Sequence, residues 1–256
     1  MIPTDPLFYV VGLTTVFIIA VGKGAFGGGL ATLGVPLLSL VMPPIEAAII
    51  VAPITVLTDV FAFGSYRLGN ASKPDLRWFL PAMLIGLALG YFFFVLIDPR
   101  LVNIGIGVIA FVFAIDWFIR QRSKSDAVEH PLSPALAAGS GGAFGFTSFV
   151  AHSGGPILSA YLLYRGLNKT LYVGTSIVIY ALVNILKLFP YLLLGAAKPA
   201  VLVHAALLAP VVPLGVWLGA HFHNRLDQRK LFFWCYAILL FASAKLLFDA
   251  VRALMA

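Results

Sequence analysis

Charge is what this chain has least of. Only 11% of its 256 residues are Asp, Glu, Lys or Arg, where a soluble domain carries about a quarter. Ten acidic residues leave little material for paired-carboxylate chemistry. Asp59 and Asp116 fall in different hydrophobic segments with no supporting motif, so the convergent constellation an intramembrane enzyme needs is missing. The chain is expected not to be an enzyme and to need no cofactor. The single cysteine, Cys235, excludes an internal disulfide and any multi-cysteine metal site. His152, His204, His221 and His223 show no ligand spacing beyond His221-x-His223, beside a basic loop, so no metal site is expected. The opening MIPTDPLFYVV has no basic n-region, which predicts an uncleaved first helix rather than a signal peptide.

What fills the space is hydrocarbon. The chain is 61% hydrophobic with a mean hydropathy of +1.00. Charge-free runs cover Pro6–Gly22, Gly24–Ile45, Trp78–Ile97, His130–Tyr164, Pro199–Asn224 and Leu231–Ala244. About 20 apolar residues cross a bilayer as a helix, so these runs predict an all-α polytopic membrane protein. A net charge of +7 would suggest nucleic acid in a soluble chain; here it reads as juxtamembrane Lys and Arg.

The sequence also repeats itself. GAFG at 24–27 recurs at 142–145, and Pro36-Leu-Leu-Ser39 is echoed by Pro156-Ile-Leu-Ser159. Tyr66 with Ala71-Ser-Lys-Pro74 returns as Tyr191 with Ala196-Ala-Lys-Pro199. Gly86-x-x-x-Gly90 returns as Gly215-x-x-x-Gly219, and Arg100-Leu101 as Arg225-Leu226. The unbroken order of these matches argues for duplication. Residues 1–119 form a first transmembrane repeat, 120–133 a polar linker and 134–256 a second repeat. Hydrophobic segments are predicted near 7–22, 26–42, 45–66, 76–97 and 101–119, then 134–150, 154–164, 170–195, 200–222 and 230–252. That amounts to some 8–10 helices, with a short, glycine- and proline-broken pair opening each half.

Such a pair either crosses as tilted helices or folds back as a re-entrant hairpin. In both cases three further crossings make each half odd, so the halves are inverted repeats. With the N-terminus outside, twelve of the seventeen Lys and Arg share one side with the 120–133 linker, which the positive-inside rule makes cytoplasmic. If the short second segments did not cross while the first did, the halves would be parallel and the split only ten to seven.

Irregular backbone survives in a bilayer only where protein or a wet cavity surrounds it. Broken segments at matching positions of two inverted halves point to a transport site. Here they are KGAFGGGLATLGVP (23–36) and SGGAFGFTSFVAHSGGP (140–156). Gly27, Gly28, Gly29 and Pro36 in the first, and His152, Ser153, Gly154, Gly155 and Pro156 in the second, are the candidate substrate-binding residues. Helix N-termini exposed there favour an anion; close helix packing is the other reading of the glycines. Tyr180, Asn184, Lys187 and Tyr191 are spaced for one helix face, and Thr55, Thr58, Asp59 and Tyr66 form the counterpart stripe. Asn184 and Lys187 join the binding set, because an intramembrane lysine is functional by default. Lys187 either pairs with Asp59 or meets the substrate's charge. Lys23, Thr55, Asp59, Tyr180 and Tyr191 are candidates for gating or coupling. Asp116, Lys245 and Asp249 read as surface residues.

GKGAFGGGLATLGVPLLSLVMPP in the first half, with GFTSFVAHSGGPILSAYLL and GTSIVIYALVNILKLFPYLLLG in the second, resembles the TauE/SafE family, also called the sulfite exporter or TSUP family. The likeness spans nearly the whole chain. One departure is the six residues, Leu30 to Val35, between Gly29 and Pro36, a longer spacer than is common in the family. The resemblance implies secondary transport, in the export direction, of sulfite, sulfoacetate or other organosulfonates; the lack of a transit peptide and the compact loops favour a prokaryotic inner membrane. An anion channel, or an uptake permease for a related organic anion, is the alternative. The expected partners are a small anion and the lipid bilayer, not nucleic acid. A homodimer, and proton coupling through His152 or Asp59, stay open.

Overall fold

The computed structural model describes residues 6–26, 28, 30–63, 71–120, 130–196, 199–221 and 228–255. Among them the structure is helical throughout: α1 (Pro6–Phe26), a 3-10 turn (Leu30–Leu33), α2 (Gly34–Leu38), α3 (Pro44–Phe63), α4 (Lys73–Leu96), α5 (Pro99–Arg120), α6 (Pro134–Ala151), α7 (Gly155–Tyr164), α8 (Lys169–Tyr191) with a terminal π turn (Leu192–Ala196), α9 (Pro199–Leu208), α10 (Val211–His221) and α11 (Gln228–Met255). Five of these helices open on a proline, where the missing N–H has no helical partner to lose. Six spans are long and apolar enough to cross a membrane: Pro6–Ala25, Pro44–Ala62, Lys73–Leu96, Arg100–Ile119, Gly174–Leu194 and Val203–His221. The protein is a multi-pass membrane protein.

Polarity is distributed accordingly. Ile85, Leu89 and Phe92 on α4 and Phe241 and Phe248 on α11 are exposed, whereas Lys23, Asp59, Asn184 and Lys187 are buried. A soluble protein buries its apolar side chains and hydrates its charges; a hydrocarbon-facing surface reverses the arrangement.

The helices of the first half of the chain pack on those of the second. α1 runs along α10 and α4 along α6, while α3 faces α8 and α5 lies against α11. In segment order, first meets fourth and fourth meets first, with third on third and fifth on fifth. The glycines set the approach. A Cβ on Gly86 would overlap the Gly142 carbonyl and one on Gly145 that of Met83; likewise Gly24 meets Val216 and Gly219 meets Val21. These positions are contact surfaces between helices, as small residues in membrane helices often are.

Two features depart from the segment reading. The predicted segment 200–222 is split at Ala209-Pro210 into α9 and α10, because a proline inside a helix cannot donate to the carbonyl four residues back. The second segment of each half is short, as the sequence suggests, but the first is not: α1 runs for 21 residues and α6 for 18. The Leu30–Leu38 stretch and the ten residues of α7 each reach about 15 Å at roughly 1.5–2 Å per residue, half the hydrocarbon thickness.

Candidate functional site

The second broken segment is shaped by local chemistry. α6 starts where the Ser133 side chain accepts from the Leu136 N–H at 3.4 Å. It ends at His152, whose φ of 51° is left-handed, and the His152 and Ser153 N–H groups both return to the Thr147 carbonyl. The chain restarts as α7 at Gly155-Pro156. This reversal turns the His152 ring into the interior, where it is almost fully buried. In the first broken segment Gly28 has φ 138°, a backbone conformation open to glycine alone, and its missing Cβ leaves room for the Tyr180 ring.

Charged groups from three helices converge between these breaks. Lys23, in the last turn of α1, forms an ion pair with Asp59 on α3 and lies 4.6 Å from the centre of the Tyr180 ring. The second Asp59 oxygen accepts from Asn184 Nδ2 at 2.5 Å. Asp59 and Asn184 stand 125 residues apart, the same offset that relates Tyr66 to Tyr191. One turn further along α8, Lys187 Nζ is 2.8 Å from His152 Nδ1, and His152 Nε2 is 3.0 Å from the Ala48 carbonyl oxygen. A carbonyl only accepts, so Nε2 carries the hydrogen. Nδ1 then accepts from Lys187 Nζ, and with the lysine protonated the pair carries a single positive charge. Lys187 is directed at His152, while Lys23 makes the ion pair with Asp59.

A small cavity, about 20 Å³, opens among these groups and is lined by Ile19, Lys23, Gly28, Ala31, Thr32, Thr55, Thr58, Ser148, His152, Gly154, Gly155, Tyr180, Val183, Asn184 and Lys187. Ten of the residues named from sequence therefore meet at one cavity: Lys23, Gly28, Thr55, Thr58, His152, Gly154, Gly155, Tyr180, Asn184 and Lys187. Asp59 braces Lys23 and Asn184 from outside the lining. Ser153 is fully buried and its hydroxyl donates to the Ala151 carbonyl at 3.0 Å. Pro36 sits within α2 and Pro156 in the first turn of α7, and neither lines the cavity. Tyr191 supports it from behind, its hydroxyl donating to the Phe149 carbonyl at 2.5 Å and its ring stacked 5.5 Å from His152. Gly27, Gly29, Tyr66 and His223 lie outside the described residues. Thr32 and Ser148 belong to the lining without having been singled out. The sequence signal was their place within the two broken segments.

The model of one family, described as Sulfite exporter TauE/SafE, matches residues 12–246. The chain belongs to the TauE/SafE family. No curated protein and no solved structure matches it. As a TauE/SafE member it is a membrane transporter of the sulfite-exporter type, and the buried cluster sits where α1, α3 and α8 meet the two broken segments.

Proposed function

We propose that this TauE/SafE transporter exports a small sulfur-containing anion, such as sulfite, sulfoacetate or another organosulfonate, by alternating access across a prokaryotic inner membrane. The observation that carries the reading is the make-up of the buried cluster at the cavity: one carboxylate, Asp59, against two lysines, Lys23 and Lys187, so that with both lysines protonated one positive charge is uncompensated. An unbalanced buried charge is expensive, and a monovalent anion between Lys187 and the start of α7 would neutralise it. The Gly155 end of α7 adds the positive end of a ten-residue helix.

Two further features support the cycle. The reciprocal helix contacts between the two halves support a pseudo-twofold pair with the cavity near its axis. The cavity takes little more than one water-sized sphere, so admitting a sulfonate-sized anion requires the broken segments to withdraw toward one membrane face. With the linker cytoplasmic, a negative interior drives an anion outward at about 2.3 kcal/mol per charge per 100 mV, and no second ion is needed.

The test is thermal unfolding of the purified protein in detergent with sulfite, sulfoacetate, thiosulfate, sulfate and acetate. Selective stabilisation by a sulfur oxyanion or sulfonate is expected. It should disappear in Lys187→Ala and persist in Ser153→Ala, whose hydroxyl is satisfied by its own backbone. Stabilisation by none of these anions would overturn the reading.

A further inference from the structure

We infer that Thr32 is a direct ligand of the transported anion and the residue that makes the site prefer an oxyanion to a halide. The inference rests on the transport reading above and adds to it a residue and a chemical basis for selectivity. Thr32 is 1% exposed, it lines the cavity, and its Oγ1 has no hydrogen-bond partner. Among the described residues, the only other buried side-chain N or O atom in that state is Asn103 Oδ1, which is not part of the cavity wall.

Helical hydroxyls in this protein usually satisfy themselves locally. Thr15 donates to the Val11 carbonyl at 2.7 Å, Thr55 to Ala52 at 2.8 Å, Thr58 to Thr55 at 2.7 Å and Ser243 to Leu239 at 2.7 Å. Thr32 makes no such bond. Four residues back stands Gly28, whose φ of 138° is outside any helical conformation. A buried hydroxyl without a partner is destabilising, and structures retain few such groups without a reason.

The position has a counterpart. Thr32 precedes Pro36 by four residues, and His152 precedes Pro156 by four. The two repeats therefore bring equivalent positions to one cavity, one bearing a hydroxyl and the other the imidazole that faces Lys187. Lys187 supplies charge, which attracts any anion. Thr32 supplies a directional O–H donor, which rewards an oxygen lone pair placed to receive it. Sulfite, a pyramidal oxyanion, can lay one oxygen against Lys187 and present another to Thr32. Chloride satisfies the charge but is a weaker hydrogen-bond acceptor than a sulfite oxygen and gains less from the hydroxyl.

The experiment compares wild type with Thr32→Val, which keeps the shape and removes the hydroxyl, Thr32→Ser, which keeps the hydroxyl, and Thr32→Ala, which cannot overpack. Thermal unfolding is followed during titration with sulfite and with chloride. Thr32→Val is expected to melt at or above the wild-type temperature without ligand, since an unsatisfied group has been removed. Its sulfite affinity should fall about 10- to 100-fold, the usual worth of a hydrogen bond to a charged group, with a smaller fall for chloride. Thr32→Ala should show the same loss, and Thr32→Ser should bind sulfite as wild type does. Wild-type sulfite affinity in both Thr32→Val and Thr32→Ala would overturn the role of Thr32 and leave the transport reading standing. Absence of sulfite binding by the wild-type protein itself would overturn both.

Discussion

Replacing Lys187 with methionine is expected to remove anion binding and transport while leaving the protein folded. Methionine is unbranched and adaptable enough to occupy the space of the lysine stem. The variant keeps the Lys23–Asp59 ion pair and the Asn184 hydrogen bond, so the remaining charges cancel and an incoming anion meets no net positive charge. Losing one partner of a desolvated charge pair costs about 2–5 kcal/mol of binding, roughly a 30-fold to several-thousandfold drop in affinity. Stability without ligand should hold or rise, because an incompletely compensated cation has left the interior. Lys23→Met gives the contrast. It also cancels the net charge, but it leaves Asp59 buried without its ion-pair partner, so it should weaken binding and stability together. Sulfite flux in proteoliposomes and unfolding temperature in detergent separate the two. Normal transport by Lys187→Met would mean that the anion is held elsewhere.

The largest loss of stability is expected from Asp75→Ala, away from the cavity. Asp75 is completely buried in the first turn of α4. It accepts from the Ser72 hydroxyl, the Tyr161 hydroxyl on α7, and Arg165 Nε at 2.8 Å. Arg165 also donates to the His130 carbonyl, and the Ser72 N–H donates to Thr175 Oγ1 on α8 at 2.9 Å. One carboxylate thus ties α4, α7, α8 and the chain leading into α6. Removing it strands a buried guanidinium and two hydroxyls, for which breaking a buried ion pair suggests about 3–5 kcal/mol. For a chain of this size that is a fall of about 6–20 °C in melting temperature. Asp75→Leu combined with Arg165→Met should recover much of it, since an apolar pair leaves no stranded charge. Below its melting temperature Asp75→Ala should bind sulfite normally. An unchanged melting temperature would contradict the role assigned to this network.

The contrast between these two sites marks what could be read from the chain. Hydropathy placed the long segments because a bilayer needs about 20 apolar residues whatever surrounds them. The spacing of Tyr180, Asn184 and Lys187 put them on one face of α8, and the glycine and proline breaks pointed to the place where that face meets the cavity. Partners were harder to read. Asp75 and Arg165 sit at segment ends and look like interfacial charges until α4 and α7 bring them together. Ser153 looks like an exposed donor, yet the left-handed turn at His152 folds its hydroxyl onto the Ala151 carbonyl. Thr32 is the converse case: an ordinary helical threonine in sequence, whose hydroxyl is left without a partner in the fold. Lys245 and Asp249, which the sequence suggested as surface residues, form a pair 2.7 Å apart and about half exposed.

The most direct test of the account is sulfite efflux from proteoliposomes under an imposed membrane potential, measured against sulfite concentration. The account predicts saturable flux that speeds up when the sulfite-containing side is made negative and slows when the sign is reversed, with both effects lost in Lys187→Met. Flux that does not saturate, accompanied by single-channel current, would contradict it, as would saturable sulfite flux that Lys187→Met leaves untouched.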